Sequence, residues 1–210
     1  ARTSDIVTDA LTAFGKSASD SGTFADVMAA ASSNANTNVE MMGETFKYVG
    51  AAAGAMGYSI QDIALATGLM ANSGIKGSEA GTALRSVITR MAKPTKESSA
   101  AMKKLGLSIT DSKGRMKSFG TIMKDMRKGM KGMTEDQKAS YAAMLGGQEA
   151  MSGVLAIANA SEKDFNKLSK AIDNSKNAAQ NMAKVKLDNL KGDVTILESS
   201  MEGLGITIFD

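Results

Sequence analysis

Residues 43–95, GETFKYVGAAAGAMGYSIQDIALATGLMANSGIKGSEAGTALRSVITRMAKPT, carry glycine, alanine and serine where most helical proteins carry Leu or Ile. The stretch is a series of short helical patterns joined by glycines. Small side chains let helices approach until their backbones nearly touch, so it reads as a packing and assembly element with almost no reactive chemistry. Gly50 and Gly54, and again Gly77 and Gly81, form the G-x-x-x-G spacing that permits close helix packing in membranes. The same spacing also suits soluble small-residue packing or a loop-to-helix junction. Gly81 falls early in a helix, where Gly costs about 1 kcal/mol relative to Ala; such a cost implies a packing reason. From Tyr48 to Ile75 the only charged residue is Asp62, and the uncharged run from Tyr48 to Gln61 is too short to span a bilayer. A buried helical hairpin and a latent membrane-active hairpin both fit.

A core built this way needs a filler, and the chain supplies 16 Met with no Trp and 4% aromatics. Flexible Met side chains fill irregular gaps. The Met residues at 116, 123, 126, 130 and 133 fit either an ordinary core face or an adaptable Met-rich groove. Cysteine and histidine are both absent, which removes disulfides, thiolates, the commonest general base and the commonest metal ligand. A net charge of +3 is too small to imply nucleic-acid binding by itself. The basic residues cluster, however: Lys93, Lys96, Lys103, Lys104, Lys113, Arg115, Lys117, Lys124, Arg127, Lys128 and Lys131 meet few acids. That run is either a solvated helix face or a contact surface for DNA or anionic lipid.

Period and capping residues predict an all-α chain of short, glycine-punctuated helices. Ser4 opens a helix over 5–14 that Gly15 ends, and Asp20 or Ser21 starts another through Phe24, Val27, Met28 and Ala31. Residues 32–38 read as a polar connector. Thr37 or Asn38 starts a helix with a stripe of Val39, Met42, Phe46 and Val49. Ser59 caps a helix ending at Gly74, and Ser78 caps one that Pro94 terminates. Alternation in LSITDSKGRMK predicts a small β-hairpin near 107–117. Further helices cover 121–131, the capped start TEDQ at Thr134, the stretch after Gly146-Gly147, and Ser161 onward. The expected organisation is a compact helical domain over 1–175 and a long amphipathic helix over 176–210. That helix carries Met182, Val185, Leu187, Leu190, Val194, Leu197, Met201 and Leu204 at spacings of three and four. Such a stripe needs a partner surface, either its own domain or another copy of the chain. Both ends of the sequence read as cut from a longer polypeptide.

No catalytic residue, cofactor-binding residue or metal ligand is assigned. The P-loop, zinc-protease and Cys/His patterns are missing. Glu40 and Glu44 share a helix face and Glu135-Asp136 sit at a helix start, but no aromatic sugar groove accompanies either pair. The Glu135-Asp136 pair is more simply complementary to a helix dipole. Neither a cofactor nor a small-molecule substrate is expected.

Five segments together resemble the core region of phage tail tape measure proteins: residues 25–50, 65–95, 103–119, 144–159 and 188–206, in order and across nearly the whole chain. The resemblance implies a virion structural protein of the tail lumen or tail tip, assembled in the bacterial host cytoplasm. It also implies a ruler that sets tail length and is released through the tip to aid genome delivery. The partners it implies are other copies of the chain, the tail tube protein, tail assembly chaperones and baseplate or tail-tip hub proteins. Contact with the host membrane or with passing DNA belongs to the same expectation. A helical scaffold or membrane-active module of a prophage-derived, tailocin-like particle is the alternative.

Overall fold

The computed structural model describes residues 2–192. Every regular element among them is helical. In chain order these are α1 (Arg2–Ala13), α2 (Ser21–Asn34), α3 (Val39–Ala55), α4 (Ile60–Asn72), α5 (Gly77–Ala92), α6 (Lys96–Leu105), α7 (Phe119–Met130), α8 (Glu135–Gly146), α9 (Met151–Asn159) and α10 (Glu162–Asp173), followed by α11, residues 178–192. Short 3-10 turns precede α2 and α9.

The caps follow their residues. Asn38, Ser59, Thr95, Ser118, Thr134 and Ser161 each accept a hydrogen bond from a backbone N–H of the helix they open, and Thr134 with Gln137 closes a full capping box. Two expected starts move. Helix α1 already runs at Arg2, so Ser4 lies inside it. Helix α5 starts at Gly77 behind an extended Lys76 rather than at Ser78. Its opening turn is held from outside: the Thr45 hydroxyl, fully buried, donates to the Gly77 carbonyl at 2.9 Å.

The expected hairpin shrinks to one antiparallel bridge, Thr110 to Met116, with no strand among the described residues. The Asp111 carboxylate explains the tightness. It accepts from the backbone N–H of Lys113 and Arg115 and pairs with the Arg115 guanidinium, closing the turn before a ladder can grow. Of the segment's apolar residues only Leu107 is buried, so no apolar face exists to extend.

The small residues of 43–95 set the packing. Helices α1 and α3 run side by side in the same direction, with Ile6 against Gly43, Ala13 against Gly50 and the Phe14 backbone against Gly54. The other side of α3 takes α5: a Cβ on Gly81 would lie 2.6 Å from both the Thr45 carbonyl oxygen and the Tyr48 Cβ. Both G-x-x-x-G pairs thus face neighbouring helices of the same fold. Phe46 packs between Phe14 and Phe24, tilted to one and edge-on to the other, centroids 5.4 and 5.3 Å away. Helix α4 is buried nearly all round, from Ile60 and Ile63 to Ala71, so the 48–75 stretch, with Asp62 as its one charge, supplies the centre of the fold. No helix among the described residues is long and apolar enough to cross a membrane.

Candidate functional site

The Met-rich stripe belongs to the interior. Met123, Met126 and Met130 are buried, Met133 is half-buried, and only Met116, on the tight turn, is well exposed. Met123 and Met126 join Met70 and Met91 around an apolar void of about 10 Å³, room for one water at most. No ligand pocket opens there.

The carboxylates are structural. Glu40 lies in the first turn of α3, and the Glu44 carboxylate lies over Gly77 at the start of α5. Glu135 accepts from the Lys138 ammonium at 2.8 Å and from the Asn159 amide at 3.1 Å, and these bonds hold its carboxyl below the usual range. Asp136 shares the first turn of α8. Among the described residues no group of three or more Asp and Glu is gathered closely enough to hold a metal ion.

Asp62, the lone charge of the central stretch, links the starts of two helices. It stands in the first turn of α4, and its carboxylate accepts from Phe119 N–H at 3.1 Å, where α7 begins. Burial pushes its carboxyl up, against hydrogen bonds from Ser59, Gly120 and Phe119 that pull it down. Beside it, Tyr58 is 3% exposed and its hydroxyl has no hydrogen-bond partner among the described residues. Burial, with the Asp62 charge adding to it, pushes the Tyr58 pKa up to about 12.

The basic run divides in two. Arg127 is a core fastener: its guanidinium donates to the carbonyls of Ile157 (2.8 Å) and Ala160 (2.6 Å), pairs with Glu162 and lies 4.9 Å above the Phe165 ring. Lys117 pairs with Asp125 and Arg115 with Asp111. Lys124, Lys128 and Lys131 are exposed instead and open onto one groove, described below.

The surface most suited to a partner is α11. Its first turn is tied to α2 across 151 residues of sequence: the Asp26 carboxylate accepts from Asn177 N–H at 2.8 Å and from Ala179 N–H at 3.0 Å, while Asn177 takes φ 66°. Met182 and Lys186 then line clefts on both sides, one against α1 and α3, the other against α2 and α10. Val185, Leu187 and Leu190 are each 58% exposed. At about 100° per residue, Leu187 and Leu190 stand on a different face from Met182 and Val185. Sequence reasoning found these apolar positions but neither of the carboxylates, Asp26 and Asp62, that fix helix starts from a distance. Their partners are remote in sequence and leave no local signal.

These features, a Met-filled interior and an amphipathic helix with exposed leucines, stand beside those of known proteins. The profile of the phage-related minor tail protein family matches residues 1–147, the larger part of the chain. The chain belongs to that family. Over 208 residues it is 35% identical to the tape measure protein of Pneumococcus phage Dp-1, covering 99% of this chain and 18% of that one. It is 30% identical over 188 residues to a probable tape measure protein of Escherichia phage P2, covering 88% and 23%. The chain spans about a fifth of the length of these relatives. No solved structure matches it. The family profile takes in α1 to α8, and the alignment with the Dp-1 protein covers nearly the whole chain, so the resemblance extends past the glycine pair that ends α8.

Proposed function

We propose that this chain is a folded segment of a tape measure protein that sets tail length and passes out through the tail tip to aid genome delivery. The alignment with a tape measure protein over 99% of the chain is the observation that supports the reading most directly. The residues agree with it: most carboxylates are engaged with the fold, and the surface offers apolar and charged contact faces. In the same reading α1 to α10 form the compact domain, and α11 leads out of it. The partners are further copies of the chain, tube protein, assembly chaperones and the tail-tip hub, in the tail of the virion.

Side-by-side copies are supported by the sequence that begins at Leu187. Leu187, Leu190, Val194, Leu197, Met201 and Leu204 alternate steps of three and four, the a/d spacing of a coiled coil. Leu187 and Leu190 lie exposed at its start. Light scattering on the 210-residue chain and on Leu187→Asp with Leu190→Asp tests the association; equal monomeric mass for both at high concentration refutes it.

Deleting the segment within the phage tests the ruler. A segment held as extended helix in the tail would shorten it by roughly 315 Å, at 1.5 Å per residue. A segment kept compact, with a radius of gyration of about 17 Å, would remove only a few tens of ångströms. Tails of unchanged length in electron micrographs would overturn the ruler role for this segment.

A further inference from the structure

The charge of this chain is unevenly placed. Of its 25 Lys and Arg and 22 Asp and Glu, residues 193–210 hold four acids (Asp193, Glu198, Glu202 and Asp210) and no base. Residues 1–192 therefore hold all 25 bases against 18 acids. Much of that excess is gathered where the C-terminal ends of α7 and α9 meet the N-terminal end of α10, in a groove of about 480 Å³.

The groove has a neutralised base and a charged rim. At its base Arg127 is paired with Glu162 and Lys138 with Glu135, so both acids beside the groove are spent. On its rim Lys124, Lys128 and Lys131 are exposed and have no carboxylate within ion-pairing distance among the described residues; Lys124 only lies 5.9 Å above the Phe165 ring. Lys124 and Lys128, four apart, share one face of α7, and Lys131 at its C-cap lines the same groove. Between them lie small apolar positions, the half-buried Ala158 and Ala160, with Asn159 and Asn166 alongside. An occupant must be acidic at steps of about four residues and apolar alongside. Residues 193–210 have that pattern: Glu198 and Glu202 are four apart, and Leu197 and Met201 precede them.

We propose that this groove is a docking site for residues 193–210 of a second copy of the chain, joining copies head to tail. A second copy is favoured because α11 starts at the far end of α10 from the groove, about 18 Å along its 12 residues. It then runs against α1, α2 and α3, and no described residue of α11 lines the basic groove. The pairing is heterologous, so it closes into a ring or propagates along an axis according to the rotation between copies. Leu197 and Met201 belong to the three-and-four seam as well, so a segment docked in the groove is withdrawn from the lateral contact. The proposal requires only that copies meet, which the tape measure reading provides, and its test does not use tail length.

The test is a charge exchange in the 210-residue chain carrying Leu190→Asp, which silences the lateral seam. Sedimentation at low salt should show association. Lys124→Glu, Lys128→Glu and Lys131→Glu together should weaken it about tenfold or more, and so should Asp193→Lys, Glu198→Lys and Glu202→Lys together. Neither variant associates alone, and mixing the two restores association, with circular dichroism confirming wild-type folding in each. A background chain that stays monomeric, a mixture that fails to rescue, or variants that associate as before would each overturn the proposal. If both sets in one chain give a compact monomer, the occupant is the chain's own segment and the second copy is refuted. Lysine variants that lose duplex DNA in a gel shift but keep their self-association would give the groove to nucleic acid instead.

Discussion

Replacing Gly81 by Ala adds one methyl group at the tightest point of the α3–α5 seam. The new Cβ would meet the Thr45 carbonyl oxygen and the Tyr48 Cβ at 2.6 Å. Neither atom is the far end of a flexible side chain, so α3 and α5 must separate. Overpacking of this kind costs about 1–3 kcal/mol, and fixed neighbours place this site in the upper part of that range. Against it stands a helix-propensity gain of about 1 kcal/mol for Ala over Gly. The expected net loss is about 2 kcal/mol, a fall in melting temperature of roughly 4–8 °C for a domain of this size. Gly22, in the first turn of α2, is the internal control, since a Cβ there meets nothing within 4 Å. Gly22→Ala should hold or raise stability by up to about 1 kcal/mol. Thermal and urea unfolding followed by circular dichroism would read both. If Gly81→Ala matches or exceeds the parent while Gly22→Ala behaves as stated, close approach is not what glycine serves at position 81.

Arg127→Lys should cost about 2–4 kcal/mol, because an ammonium cannot serve the Ile157 and Ala160 carbonyls and Glu162 together; denaturant unfolding measures it. Asp26→Ala should cost about 1 kcal/mol and speed amide exchange at Asn177 and Ala179 while leaving α3 and α5 protected. Raising the pH should weaken the domain through Tyr58: its folded pKa of about 12 lies above the unfolded value near 10, so its contribution is intact below pH 10 and is lost as pH rises towards 12. Tyr58→Phe should flatten that loss in melts from pH 9 to 12. It should also hold or raise stability at neutral pH, since the hydroxyl it removes is buried without a partner.

Helical period and local capping chemistry were legible in the sequence because both act within one turn. Asn38, Ser59, Thr134 and Ser161 announced their helices for that reason. Helix α6 was not read as a separate element, although Thr95 at its start and Gly106 in the left-handed conformation at its end carry the signal. The hairpin was over-read because alternation in LSITDSKGRMK describes a strand only if one face is buried, and that depends on neighbours. Small residues at 43, 50, 54 and 81 announced close packing but not which helix each would meet. The paired role of Arg127 and the exposed role of Lys128, one residue apart, differ only through α9 and α10, more than thirty positions away. The acidic bias of residues 193–210 was visible as composition, whereas its complement needed the meeting of α7, α9 and α10.

The glycine seams also have a mechanical consequence. Where α1, α3 and α5 touch through backbone and methyl groups, there are few long side chains to stretch or re-form contacts as the helices part. Dispersion between such surfaces loses a quarter to a half of its strength over a gap of about 0.5–1 Å. A pull transmitted along α11 enters the domain at Asn177 and Ala179, held by the Asp26 carboxylate of α2, and α2 lies over the crossing from α1 to α3. Such a stack is stiff up to its breaking point and brittle beyond it: it yields after a short displacement, helix by helix, rather than deforming gradually.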